Sequence, residues 1–242
     1  MPPKRAATVN ALRAAFPEEL SLAAVERWAG ETPEELKSLL EELRRAREGV
    51  SRRPYVNPAA AEDSPRELLS LFQRYGALAE GIFLAAERIR GVVELRIPEL
   101  KEEDNLGVAV QNAVLRRLDA VQNYLLAGNG GEKEGVRPMA GMFVAKEYLA
   151  ARAGIEEKIL PKPAKPDGGE KGKEEGKEGE ASSGTKAPSA ILELQQLDYD
   201  ALLKLELTIE HLLTLLLAFV NTYMLNWKKL IQPRSNTDTM VS

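Results

Sequence analysis

A chain of 242 residues without a cysteine has room for one large domain or two small ones. It holds no disulfide framework, thiolate zinc site or cysteine nucleophile. Hydrophobic residues make up 44% of it but aromatics only 5%, with leucine and alanine dominant. That balance favours helices packed on helices, because strands prefer β-branched and aromatic side chains. The net charge of −4 lacks the basic excess of a nucleic-acid surface.

The opening stretch "MPPKRAATVNALRAAF" has no apolar core of signal-peptide length. It is basic and free of acids up to Glu18, a pattern shared by mitochondrial transit peptides and ordinary amphipathic first helices. Residues 4–50 read as an interrupted helix, broken or bent at Pro17 and across Gly30–Pro33. Thr32 followed by Pro33 predicts a restart, with Thr32 as N-cap and Glu34 and Glu35 at the positive end of the dipole. Residues 52–63 read as a loop.

Ser64-Pro65-Arg66-Glu67 predicts a second helix by cap, first-turn proline and capping-box glutamate. Apolar residues from Leu68 to Val92 recur at helical spacing, and the helix is expected to end near Ile97, ahead of Pro98. A third helix is predicted from Leu106 to Ala127, interrupted over 128–138 and resumed from Met139 to Leu160. Residues 161–187 hold six lysines, six acids, six glycines and three prolines, with alanine the only apolar type. Such a segment cannot offset its ordering entropy and reads as a disordered linker. The last helix is predicted from Ser189 to Ile231, stopped by Pro233, with a flexible tail behind it.

The reading is all-α: a single up-down-up-down bundle of four long helices. In that topology the 97–106 connection, the chain start and the 233–242 tail share one end, and the 161–187 linker lies at the other. The shared end is unusual. "IPELKEEDNLGVAVQ" crowds Glu99, Lys101, Glu102, Glu103 and Asp104 into six positions of a bend that a few small residues could make.

Candidate chemistry elsewhere is thin. His211 is the only histidine, and Glu206 and Glu210 beside it are badly spaced for a metal. The glycines fit neither GxGxxG nor GxxxxGK. The charges Glu41, Glu42, Arg44, Arg45 and Arg47 read as a solvated face of i,i+3 and i,i+4 pairs. Residues 212–225, "LLTLLLAFVNTYML", are the most apolar run. One reading is a membrane-associated helical protein anchored through 212–225. The other is a core helix, favoured by a length of fourteen residues and by Asn221 and Thr222. A run apolar nearly all round needs cover on every side, more than one bundle supplies, so it predicts oligomerisation.

"RIPELKEEDNLGVAVQNAVL" resembles the activation loop and following helix of the 11S regulators of the proteasome, the REG family. "MPPKRA", "YMLNWKKLIQPR" and the terminal "MVS" are similar to the trypanosomatid type of that family. The resemblance runs over nearly the whole chain and lapses in 128–138 and 161–187. It implies a ring of seven subunits, a heptamer, that caps the α-subunit ring of the core (20S) proteasome and opens its gate to peptides without ATP. It implies no enzyme, no cofactor, no metal, no nucleic acid and no membrane, and the cytoplasm as compartment with the nucleus left open. By position Glu102 matches the loop acid that presses on the gate turns, with Glu103 next, while Asp104, Asn105 and Gly107 match the part that shapes the loop. The tail implied to insert between outer-ring subunits is Met240, Val241 and the Ser242 carboxylate. ATP-driven activators carry tyrosine at the penultimate place where this chain has Val241, so its tail should tether and leave opening to the loop.

Overall fold

The computed structural model describes residues 3–52, 55, 64–100, 105–126, 140–159 and 188–234. These form seven α-helices and, among the described residues, no strand: α1 Pro3–Ala15, α2 Glu18–Ala29, α3 Glu31–Arg52, α4 Ser64–Glu94, α5 Leu106–Leu126, α6 Ala140–Ile159 and α7 Pro188–Ile231. The helices α1–α3 make the first arm of a four-helix bundle, α4 the second, α5 and α6 the third and α7 the fourth. The last arm lies along α3, α5 and α6, and α4 lies against α2, α3, α5 and α6. The predicted linker, 161–187, and the interruption at 128–138 fall outside the described residues.

The prolines and glycines punctuate the chain much as expected, with two shifts. Thr32 is not an N-cap. The break is made at Gly30, whose N–H donates to Glu26 O and Arg27 O at 3.1 and 3.3 Å, and α3 begins at once at Glu31. Thr32 and Pro33 therefore lie buried in the first turn, where a missing N–H costs nothing. Helix α4 stops at Glu94 rather than Ile97. Its last turn tightens, with Arg96 N–H on Val93 O and Ile97 N–H on Glu94 O, so the chain leaves helical geometry before Pro98.

The apolar run 212–225 contributes to both faces of α7, and its inward positions continue a buried stripe. Leu205, Ile209, Leu212, Leu216, Phe219 and Tyr223 recur every three or four residues and are buried. Phe219 meets Trp28 of α2 edge-on, with ring centres 5.5 Å apart, the arrangement aromatic quadrupoles favour. No helix among the described residues is long and apolar enough to cross a membrane, so the anchor reading loses its segment to the core. Part of the outer face stays apolar and uncovered: Leu207, Leu217, Met224 and Leu225 are all exposed.

The charges of α3 are not only a solvated face. Arg45 does pair with Glu41 four residues away at 3.3 Å. But Glu42 takes both arms of Arg74 on α4, which holds its carboxyl below the usual range. Arg44 and Arg47 reach Glu206 of α7 at 2.9 and 3.0 Å, and Arg44 also reaches Glu210 at 2.6 Å. The guanidinium fork is long enough to bridge neighbouring helices, and a carboxylate accepts it on two oxygens. His211 is exposed, its ring 4.7 Å from that of Tyr124.

At the end of the bundle away from the 97–106 bend, Asp198 of α7 is fully buried. It accepts hydrogen bonds from Tyr55 (2.7 Å), Tyr148 (2.8 Å) and Arg152. Burial pushes the Tyr55 hydroxyl up to about 12. Burial alone would lower the Arg152 pKa, but the contact with Asp198 outweighs it and leaves the group raised. Replacing Asp198 with alanine removes one of the two acid partners of the buried Arg152, which keeps Glu156 at 2.8 Å, and takes an acceptor from the Tyr55 and Tyr148 hydroxyls. It is expected to cost about 3 kcal/mol. The double change Asp198→Ala, Arg152→Met should recover most of that loss. Thermal unfolding at fixed protein concentration measures both, and an Asp198→Ala protein as stable as the parent would mean that water reaches the pair.

Candidate functional site

The C-termini of α1, α4 and α7 and the N-termini of α2 and α5 come together at one end of the bundle. Helix ends leave four carbonyls or four amides without partners inside the helix. Here side chains from neighbouring elements cap them. Arg13 Nε donates to Leu95 O at 2.9 Å. Arg96 Nη1 donates to Val92 O at 2.8 Å and Phe16 O at 3.2 Å, while its Nε faces Glu18 at 3.3 Å. Tyr223 donates to Ser21 Oγ at 2.7 Å, and burial pushes its pKa upward.

The two segments singled out from sequence meet on this face. Gln111 of α5 is fully buried, and its Nε2 donates to Leu230 O at 2.8 Å and to Arg96 O at 3.2 Å. The second carbonyl lies at the start of the 97–106 bend and the first lies three residues before Pro233. Arg234 closes the contact from the other side by donating to Glu99 O. The bend and the root of the tail are therefore held together by two side chains through three hydrogen bonds, not merely placed at the same end.

Of the residues predicted to shape the bend, two are described. Asn105 is the N-cap of α5, its carbonyl accepting the Ala109 N–H at 3.0 Å. Gly107 sits in the first turn directly under Pro233. A Cβ there would fall 1.8 Å from Pro233 O and 2.5 Å from its carbonyl carbon, so only glycine permits this approach. Leu100 and Leu106 bracket the bend, with 76% and 68% of their surfaces exposed. Glu102, Glu103, Asp104, Met240, Val241 and Ser242 lie outside the described residues.

Arg96 and Gln111 were not singled out from sequence as parts of this face, and Pro233 and Arg234 were placed at this end only as the start of the tail. For Gln111 a signal existed. It interrupts the stripe Val108, Val114, Leu115, Leu118, which is otherwise apolar and buried. A polar residue on an apolar stripe must find partners inside.

Residues 63–129 match the family described as proteasome activator PA28, C-terminal. The whole chain matches solved structures. One is a crystal structure of the archaeal 20S proteasome in complex with mutated P26 activator, with 39% identity, 98% of this chain and 100% of that chain covered, and a TM-score of 0.77. Another is a 1.9 Å structure of a proteasome–11S activator complex, with 40% identity, the same coverage and a TM-score of 0.76. A third is the yeast 20S proteasome in complex with the proteasome activator PA26 from Trypanosoma brucei, with 36% identity, 98% and 100% coverage, and a TM-score of 0.66. Comparison with curated proteins gives no match.

Proposed function

The chain belongs to the 11S family of proteasome activators, and from that premise we propose that it activates the core proteasome without ATP. In this reading it assembles with copies of itself into a ring, seven subunits in the form the family resemblance implies. The ring docks on the outer α-subunit ring. The tail, Met240–Ser242, tethers it, and the 97–106 bend, through Glu102 with Glu103 beside it, favours the open gate. Its part is regulatory, with peptide hydrolysis left to the proteasome.

One observation carries this reading beyond family likeness: bend and tail root are bonded into a single face, with Gln111 and Arg234 spanning them. A docking module needs its tether and its lever in fixed relation, since binding at one must set the position of the other. Ring formation is supported by the uncovered leucines on α7. Leu207, Leu217 and Leu225 lie outside a helix whose inner face is already buried, and a heterologous contact that closes on itself would cover them.

The test mixes purified chain with core proteasome and a fluorogenic peptide, in the absence of ATP. Stimulated hydrolysis is expected, and its absence at saturating chain would overturn the reading. Assembly is tested separately by light scattering. A ring held by apolar contacts should have a folding midpoint that rises with protein concentration. A folded monomer at micromolar concentration would refute the ring.

A further inference from the structure

We propose that Gln111 is the positioning residue that couples the tail to the activation loop, transmitting the seat of the one into the geometry of the other. The inference rests on the activator reading and deepens it.

The geometry is specific. Gln111 is on the second turn of α5, immediately behind the loop. One amide nitrogen serves two acceptors, Leu230 O at 2.8 Å and Arg96 O at 3.2 Å. Both partners are carbonyls, so the donor must be the NH2 group whichever way the amide is drawn. Leu230 O belongs to the last turn of α7 and has no partner within that helix. Arg96 O belongs to the turn that leads out of α4 into the loop. Without Gln111 the buried Leu230 carbonyl and the half-buried Arg96 carbonyl would both lose this donor, and each would relax toward water along its own path.

Gly107 makes the same joint tight from the other side. The Pro233 carbonyl occupies the space a Cβ would need, so α5 and the tail root are in backbone contact one turn before Gln111. The loop thus has both feet on one support. Its first foot is held at Arg96 O and Glu99 O, its second begins at Asn105 and Gly107, and the support is residues 230–234. A displacement of the tail root moves both feet together.

This makes a prediction that differs from simple stabilisation. The tail can still reach the proteasome when the joint is loose, because tethering depends on the tail itself. The loop, freed from its support, samples positions that do not favour the open gate. A ligand shifts an equilibrium only by its differential affinity for the two states, so opening should fall while binding persists. Gln111→Met keeps the shape and removes both hydrogen bonds. Its maximal stimulation of peptide hydrolysis should fall roughly tenfold, with half-saturating concentration changed by no more than about threefold. Gly107→Ala attacks the joint independently and should give the same split. The double variant should be no worse than the poorer single one, because both break one element.

A second measurement needs no proteasome. Hydrogen exchange on the isolated ring should show Gln111→Met accelerating the amides of Leu95–Ile97 and of Ile231–Gln232 together. Exchange rising on one side alone, or on neither, would overturn the coupling whether or not the chain proves to be an activator. Equal losses of binding and stimulation would also overturn it, since that is what general unfolding produces. Failure of the parent chain to stimulate at all would instead overturn the activator reading, and the exchange result would still decide the joint.

Discussion

Removing Met240–Ser242 is expected to abolish co-sedimentation of the ring with core proteasome. Met240 stands six residues beyond Arg234, so it can reach at most roughly 20 Å from the tail root. Few side chains travel that distance, and one such tail buries little surface and binds weakly. Chain ends are captured mainly through main-chain groups in small pockets. Several weak tails on one ring act at high effective concentration, and such linkage raises overall affinity by about 10²–10⁴-fold. Deleting every tail removes that whole factor. Rings assembled from mixtures of truncated and complete chains should lose affinity in steps as the truncated fraction rises. Full co-sedimentation by uniformly truncated rings would place the tether elsewhere, with the exposed Leu100 and Leu106 the next surface to test.

The fold was legible where local chemistry decides it. Ser64-Pro65 opened α4 at the expected residue, and Ile231 closed α7 ahead of Pro233. Proline acts within a few residues of itself, so its effect can be read from a single sequence. The interhelical clamps were not legible. Arg44 and Arg47 lie about 160 positions from Glu206, and for Arg44 the acid three residues before it, Glu41, offered an equally good local pattern. Only the relative register of α3 and α7 decides between them. The end of α4 was missed by three residues for a related reason. Arg96 leaves the helix to cap Phe16 O and face Glu18, a tertiary gain that no local propensity contains.

The candidate site divides the same way. That the bend and the tail share an end follows from four antiparallel arms. That they are bonded to one another does not, because Gln111 and Arg234 act on backbone carbonyls, which every residue has. The choice of Glu102 among the loop acids came from family resemblance and from no physical pattern in the chain. Its substitution is therefore the sharpest test of that resemblance.

Glu102→Ala is expected to leave a ring that binds core proteasome and does not open it. Glu102 lies two residues from Leu100 and three from Asn105, so chain geometry keeps it within roughly 10 Å of both. It therefore travels with a loop whose feet are fixed to the tail root at Glu99 O and Gly107. On the proposed reading such a side chain would meet the gate only after the tails have docked. Its contact can favour the open state while adding little to affinity, which the tails already supply. A charge-assisted contact of about 1.5–3 kcal/mol in each subunit offsets the cost of opening the gate, so its loss in every subunit at once leaves the closed gate favoured. The variant ring should thus compete with the parent ring and lower stimulated peptide hydrolysis in proportion to its share of the mixture. Co-sedimentation should stay at the parent level throughout the titration. Full stimulation by Glu102→Ala would transfer the opening contact to Glu103 or to the tail, and the same competition assay on Glu103→Ala would separate those two.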